Sequence, residues 1–213
     1  MKGGLKKKER IWKMPNWCNN DITLVHDDKE KLKEVEKILT TNVEGECKFF
    51  NYCKEEPDYE KTIVKETYPE ISGQEFCTDT KQKWWHWRVQ NWGTKWNIDS
   101  VPEDRITKDE NYVGFTCETA WSPPLKALLA LEEKGFKVTC EYYEGGCAFV
   151  GKYETGKGDI SWELPSTLAG LKSMMNRNET FKELAESWGI DLDYEEMEND
   201  RLPEEPQEPT RIN

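Results

Sequence analysis

The chain has 213 residues, a length that suits one domain of ordinary size with appendages, or at most two small domains. Hydrophobic residues make up 36% and charged residues 34%, so we expect a compact, aromatic-rich core under a heavily charged surface. No apolar run approaches the ~20 residues of a membrane span, and the N-terminus lacks the apolar region of a signal peptide. The sequence therefore predicts a cytoplasmic protein without membrane contact.

The net charge of −12 is unevenly distributed. Residues 1–13 carry six basic side chains against one acidic one, a net charge of +5, which leaves −17 on the remainder. We expect residues 1–13 to be either a disordered basic arm or a basic leader that precedes an internal start at Met14. An acidic globule repels phosphate backbones, so no extended nucleic acid is expected as a partner. The charge favours docking on a basic protein surface, or it serves solubility alone.

Cysteine usage predicts neither a disulfide framework nor a metal site. The seven cysteines include no C-x-x-C pair, and only His26 and His86 could supplement them as ligands. We expect free thiols that are mostly buried, no metal and no cofactor.

The first half of the chain predicts a strand, a helix and an irregular insertion. Residues 20–26 alternate between apolar and polar side chains, as a strand does. Asp27 is the predicted N-cap of a helix over about 28–41, with Glu30 completing a capping box. Residues 44–82 have no clear periodicity and are predicted to be an irregular insertion packed on the rim of the domain.

The second half predicts three strands, one helix and a hairpin. A strand is expected over residues 84–91, because Trp85, Trp87 and Val89 alternate with the residues between them. Residues 112–119 alternate in the same way. Ser122-Pro123-Pro124 is a strong helix start and predicts a helix over about 123–134. The remaining elements are a strand over 136–142 and a hairpin into residues 147–153.

This order predicts an α+β fold, a ferredoxin-like β-α-β-β-α-β sandwich over residues 14–156. Beyond it, residues 157–190 are expected to form a helical appendage, with one helix around Leu171 and another capped by Asn178. Residues 191–213 are rich in acids and prolines and predict a disordered or surface-hugging acidic tail.

Tryptophan is concentrated in one short segment. Residues 84–96 read WWHWRVQNWGTKW and hold five of the ten tryptophans, beside Arg88 and Lys95. Such a run can form a buried core, a base-stacking platform or a protein hot spot. Asn91, Thr94 and Trp121 are interpreted first as architectural, with Trp121 as a hydrophobic staple at a helix start.

Three motifs resemble those of a known family. They are residues 14–20 (MPNWCNN), residues 87–96 (WRVQNWGTKW) and residues 119–124 (TAWSPP). In this order they resemble the YubB-type ferredoxin-like domain family of phages and plasmids, a domain of unknown function, over about residues 14–153. The resemblance implies a ferredoxin-like fold without an iron–sulfur cluster and an origin on a mobile element. It implies no reaction, and it does not extend to the basic leader or the acidic C-terminal segment.

The residues favour a binding protein over an enzyme. The sequence contains no Walker-type loop, no G-x-S-x-G and no H-E-x-x-H. We therefore expect a phage- or plasmid-encoded, non-enzymatic protein with a counter-defence role, which either blocks a host protein or sequesters a small nucleotide signal. The alternative is a nuclease or nucleotide-cleaving enzyme that uses His86 and nearby basic residues. The predicted ligand-binding residues are Arg88, Asn91, Trp92, Lys95, Trp96, Trp17 and Trp121.

Overall fold

A computed structural model describes residues 17–43, 46–58 and 83–200. Within these ranges there are eight strands, β1 (Trp17–Val25), β2 (Asn42–Val43), β3 (Glu46–Cys47), β4 (Ile106–Lys108), β5 (Tyr112–Ala120), β6 (Lys137–Glu144), β7 (Phe149–Glu154) and β8 (Gly158–Glu163). The same ranges hold seven α-helices, α1 (Lys29–Thr40), α2 (Phe49–Cys53), α3 (Lys83–Asn91), α4 (Leu125–Glu132), α5 (Leu168–Arg177), α6 (Glu179–Ser187) and α7 (Ile190–Asn199). In this part of the chain no helix has the length and apolarity needed to cross a bilayer.

One antiparallel sheet organises these elements. Its six strands lie in the order β4-β5-β1-β6-β7-β8, and β2 and β3 form a separate two-stranded hairpin. β1 is central, with Ile22 opposite Phe115 of β5 on one side and Cys140 of β6 on the other. The predicted α+β class is confirmed.

The main core lies on one face of this sheet. Cys18, Ile22 and Leu24 alternate along β1 and are fully buried, because every second strand residue points to the same side. The apolar faces of two helices cover them, with Val35 buried in α1 and Leu128 buried in α4. The core is therefore a layer of helices on a layer of strands.

Both covering helices begin close to their predicted starts. Asp28 rather than Asp27 is the N-cap of α1, and its carboxylate accepts the N–H of Glu30 at 2.9 Å. α4 begins at Leu125, directly after Pro124, whose fixed φ of −82° and missing N–H suit a helix entry. The capping residue and the proline pair thus locate these helices to within a turn.

A second core lies on the opposite face, over β6, β7 and β8. Tyr143 pairs with Val150, and Val150 pairs with Trp162, so these three side chains share a face. α5, α6 and α7 pack on this face through Leu171, Phe181, Leu184, Ala185 and Ile190, all buried. On this same face, the part of the sheet formed by β1 and β5 is not covered by helices of the described residues.

The strand predicted over residues 84–91 is wrong, because this segment forms α3. The Trp85, Trp87 and Val89 alternation fits a strand, but the same segment also contains a four-residue spacing. Arg88 lies over the rings of Trp84 and Trp92, 5.1 and 4.8 Å from their centroids, which is the i, i+4 neighbourhood of a helix. The strand that follows is instead the three-residue β4, which pairs with β5.

The irregular insertion predicted over 44–82 is more regular and more buried in its described part. Residues 46–53 form β3 and α2, and Phe49, Phe50 and Cys53 are buried in the main core. Phe49 meets Phe115 of the central sheet edge-on at 5.1 Å. These residues are therefore core and not rim, while residues 59–82 lie outside the described ranges.

The C-terminal segment also differs from expectation at both ends. The predicted helical appendage begins with a strand, β8, which adds to the sheet beside β7. The helices capped by Thr167 and Asn178 occur as α5 and α6, and a further helix, α7, occupies residues predicted to be a loose tail. Residues 201–213, like residues 1–16, lie outside the described ranges.

Candidate functional site

The seven predicted ligand-binding residues fall into two groups, one packed inside the protein and one at its surface. Arg88, Asn91 and Trp92 belong to an inner group whose polar atoms are used within the protein. Lys95, Trp96, Trp17 and Trp121 belong to an outer group at the surface. The structure therefore joins four of the seven residues in one place and assigns the other three to the support of the fold.

Trp92 is a core residue. Its side chain is fully buried, and its indole N–H donates to the carbonyl oxygen of Lys54 at 2.9 Å. The ring packs against Phe50 and Trp87, each with centroids 5.7 Å away. A residue in this position fixes α3 to the main core and is not accessible to a ligand.

Arg88 is held by a nearly buried ion pair. Its Nε and Nη2 atoms donate to the two carboxylate oxygens of Glu56, each at 2.8 Å, and the side chains are only 12% and 13% exposed. Asn91 donates from Nδ2 to the carbonyl oxygen of Trp87 at 2.9 Å. A guanidinium that already makes two hydrogen bonds to a carboxylate is a poor ligand for phosphate. The inner group is therefore structural.

The three indoles of the outer group are joined by a fourth, that of Trp85, and the four rings form one cluster. We name it the tryptophan cluster: Trp17 at the start of β1, Trp85 in α3, Trp96 after α3 and Trp121 after β5. Ring centroids lie 5.9 Å apart for Trp17 and Trp96, 6.3 Å for Trp96 and Trp121, and 6.4 Å for Trp85 and Trp121. Trp96 is 38% exposed and Trp121 is 41% exposed. Since monomers rarely group such large apolar rings at the surface, the cluster is the candidate site.

The ammonium group of Lys95 lies inside this cluster. Its Nζ atom is 4.4 Å from the ring centroid of Trp96 and 5.4 Å from those of Trp85 and Trp121. All three distances fall within the range of cation–π attraction. Among the ion pairs of the described residues none involves Lys95, so its charge is stabilised by ring faces.

Two loops that hydrogen-bond to each other hold the cluster together. Thr94 Oγ1 accepts the N–H of Ala120 at 3.1 Å, and Ser122 Oγ donates to the carbonyl oxygen of Gly93 at 2.8 Å. Gly93 has φ +86° and approaches the backbone of Pro123 so closely that a Cβ would be 3.3 Å from its carbonyl oxygen. Thr94 is thus bonded to Ala120 at the base of the other loop rather than to its own turn, and Ser122 ties the loops rather than capping α4.

Trp121 differs from its predicted role as a hydrophobic staple. Its backbone has φ +68°, a left-handed conformation that is unfavourable for a bulky residue, and its ring is exposed. Such strain persists only where the surroundings impose it, and it is common at functional sites. Here the strained backbone turns a large indole toward Lys95 and solvent.

Sequence reasoning missed Trp85 as a member of the site. A strand would have placed it on the face shared with Trp87, whereas in α3 it turns toward Lys95 and Trp121. Its indole N–H is buried and has no hydrogen-bond partner. The signal that could have revealed this is the four-residue spacing of Trp84, Arg88 and Trp92, which indicates a helix.

A cleft of about 500 Å³ adjoins the cluster at Trp17. Its floor is the uncovered face of β1 and β5, and its far wall includes Trp188 at the end of α6. The lining carries one cationic side chain, Arg105, against Asp99 and Glu118. This balance of charge does not favour a polyphosphate ligand.

Five thiols of the described ranges are too protonated to act as nucleophiles at neutral pH. Burial raises the pKa of Cys18 to about 12 and that of Cys47 to about 11, and it raises the pKa values of Cys53, Cys117 and Cys140 as well. At neutral pH these groups are thiols and not thiolates. In the same ranges no three His, Cys, Asp or Glu side chains are grouped so as to hold a metal ion.

No protein-family model, no curated protein and no solved structure matches this chain. Of the features described, the tryptophan cluster around Lys95 is the one that combines exposure, backbone strain and an unusual environment for a charge.

Proposed function

We propose that this protein works by binding and that the tryptophan cluster is its contact surface for a basic protein partner. The carrying observation is the pair of exposed indoles, Trp96 and Trp121, fixed by tied loops around Lys95. Tryptophan is the residue type most enriched at the energetic centres of protein interfaces, because it contributes a large rigid surface at small entropic cost. The acidic remainder of the chain favours a basic partner.

We also propose that the domain is a ferredoxin-like domain of the YubB type, encoded by a phage or plasmid and used against host defence. Support for the fold comes from the order β1-α1-β4-β5-α4-β6, in which β1 lies between β5 and β6 and β4 lies outside β5. In this proposal β7, β8 and the helices that follow are additions to that fold. The mobile-element origin depends on the sequence motifs alone, and the counter-defence role depends in addition on the acidic charge of the chain and the expected lack of catalytic motifs.

The geometry gives less support to the other two functions. A nucleotide sponge would need several cations that converge on the phosphates, but Arg88 is paired with Glu56, which leaves Lys95 alone in the cluster, and the cleft beside Trp17 has more acid than base. A nuclease would need a general base beside a substrate, and His86 instead lies against the ring of Trp85, with centroids 4.7 Å apart. The arrangement of the tryptophan cluster therefore favours binding of a basic protein.

The test is capture from host lysate with the full chain and two variants. Trp96→Ala combined with Trp121→Gly removes both exposed indoles, and Leu192→Ala removes an exposed side chain of α7 as a matched control. We expect the wild type and the control to capture a basic protein that the double variant does not capture. The captured protein, once purified, should re-form the complex with the wild type. A captured protein that binds the double variant as well as it binds the wild type would contradict the proposal. A bound nucleotide seen by native mass spectrometry would contradict it too.

A further inference from the structure

We infer that the tryptophan cluster is a cation cage for a methylated ammonium group on a side chain of the partner, and that Lys95 is its resident occupant. This inference rests on the proposed function of the cluster as a contact surface. It adds the chemical class of the group that enters, which exposure of the indoles alone does not specify.

The first support is the geometry around Lys95. Three indole faces surround the ammonium at 4.4 to 5.4 Å, and Trp17 packs behind Trp96. Cages of two to four aromatic rings are the arrangement that proteins use to recognise quaternary ammonium groups. The cluster therefore has the parts of such a cage, already assembled around a positive charge.

The second support is the contrast between Lys95 and Arg88. Both cations lie against tryptophan rings, but Glu56 holds Arg88 with two hydrogen bonds at 2.8 Å. The ammonium of Lys95 contacts ring faces, and it takes part in no hydrogen bond or ion pair among the described residues. Because its four-carbon stem is flexible, Lys95 can leave the cage by rotation alone, whereas Arg88 cannot leave without exposing a buried carboxylate.

The third support concerns hydration. A primary ammonium has three N–H donors, which ring faces satisfy poorly, so any part of it that faces rings rather than water loses hydrogen bonds. A trimethylated ammonium has no N–H donor and is weakly hydrated, so it keeps the attraction to the rings without that loss. A methylated ammonium is therefore the better occupant of the same space.

The open side of the cage allows entry. Trp96 and Trp121 are each more than a third exposed. The net charge of −17 beyond residue 13 attracts a cationic side chain in a basic setting. These observations favour a side chain of a basic protein over a free amine.

The test compares choline with its neutral carbon isostere, 3,3-dimethylbutan-1-ol, by titration calorimetry on the full chain. Lys95→Met removes the resident charge and keeps an apolar stem of similar length. We expect Lys95→Met to bind choline about tenfold more tightly than the wild type does, and to prefer choline to the isostere, because cation–π attraction requires the charge. Equal binding of the two compounds, or no choline binding by a folded Lys95→Met, would overturn the inference.

Two further measurements keep the inference falsifiable if Lys95→Met does not fold. In the wild type, choline should shift the indole N–H resonances of the cluster, and Trp121→Gly should abolish the shift while Trp162→Phe, in the second core, leaves it unchanged. A basic peptide with one trimethyllysine should bind more tightly than both choline and the unmodified peptide; equal affinity of all three would overturn the assignment to a side chain. Choline binding without a captured protein would instead refute the proposed function alone.

Discussion

Neighbouring tryptophans of one motif have opposite roles. Trp92 is fully buried, whereas Trp96 is 38% exposed. We expect Trp92→Ala to lower the free energy of unfolding by about 3–5 kcal/mol, because it leaves a large cavity and removes the hydrogen bond to Lys54. Trp96→Ala should cost about 1 kcal/mol or less. Urea denaturation of both variants checks this; equal losses would contradict the separation of core from surface.

The ion pair of Arg88 and Glu56 makes a second prediction at this scale. Arg88→Met removes one partner of a nearly buried pair and leaves a carboxylate that is 13% exposed. We expect a loss of about 3–5 kcal/mol in the free energy of unfolding, with part of it recovered in the double variant Arg88→Met/Glu56→Gln. A double-mutant cycle by urea denaturation measures the coupling. If the two single losses simply add, the pair does not act as a unit.

Cys147 is the exposed thiol among the described residues. A hydrogen bond with the Glu144 carboxylate and its negative charge raise the pKa of Cys147 above its usual value. The thiolate fraction at pH 8 is therefore low, and we expect slow labelling by Ellman's reagent that accelerates as the pH rises. Cys147→Ser should remove one equivalent from the native count. An unchanged count would show that this thiol is protected.

At the scale of elements, α3 shows what the sequence could and could not reveal. Trp85, Trp87 and Val89 alternate as in a strand, while other residues of the segment recur at the four-residue spacing of a helix. Periodicity alone therefore does not decide between strand and helix. The segment forms a helix because Arg88 then contacts Trp84, Trp92 and Glu56 together. The contact with Glu56 could not be predicted, since the two residues are far apart in the sequence. The predicted strand therefore gave residues 84–91 an incorrect set of facing side chains.

Strand β7 depends on a glycine beneath an aromatic ring. A Cβ on Gly151 would overlap the hydroxyl of Tyr142, which donates a hydrogen bond to Asp159 at 2.7 Å. We expect Gly151→Ala to lower stability by about 1–3 kcal/mol through this overlap. Gly156→Ala is the matched control, since it meets no atom within 4 Å and carries only the strain of φ +82°. Thermal denaturation compares them, and a smaller loss at Gly151 would argue against the overlap.

For the whole molecule, the helices and strands of the main core were largely predictable, and the second core was not. α1, β5, α4 and β6 follow from clear periodicity, capping residues and prolines, so their predicted positions are confirmed. The apolar residues of α5 and α6 predicted helices, but periodicity carries no information about which sheet face they cover. β8 was missed because its residues are mostly exposed and lack the apolar alternation of a half-buried strand.

Alkaline pH should weaken the molecule through its tyrosines. Burial raises the pKa of Tyr52 to about 12, and burial with hydrogen bonds to Asp159 and Glu132 raises those of Tyr142 and Tyr153 as well. An unfolded tyrosine ionises near pH 10, so above that pH the unfolded state holds fewer protons than the native state. The melting temperature should therefore fall as the pH rises beyond about 10. Tyr142→Phe should flatten that fall; an unchanged slope would contradict the assignment.

The central position of β1 also has a consequence for the order of events during synthesis. β1 is made first, yet its two neighbours are β5 and β6, and Cys18 is opposite Thr119. Pairing over such separations closes long loops, so we expect folding on the millisecond-to-second scale typical of non-local sheets. A nascent chain that ends before β6 cannot complete the sheet: until β5 is made, β1 is an apolar strand without either neighbour, and until β6 is made it lacks one of the two. Such a strand is exposed to aggregation or to chaperones, which makes the time between Trp17 and Glu144 on the ribosome a vulnerable interval for this protein.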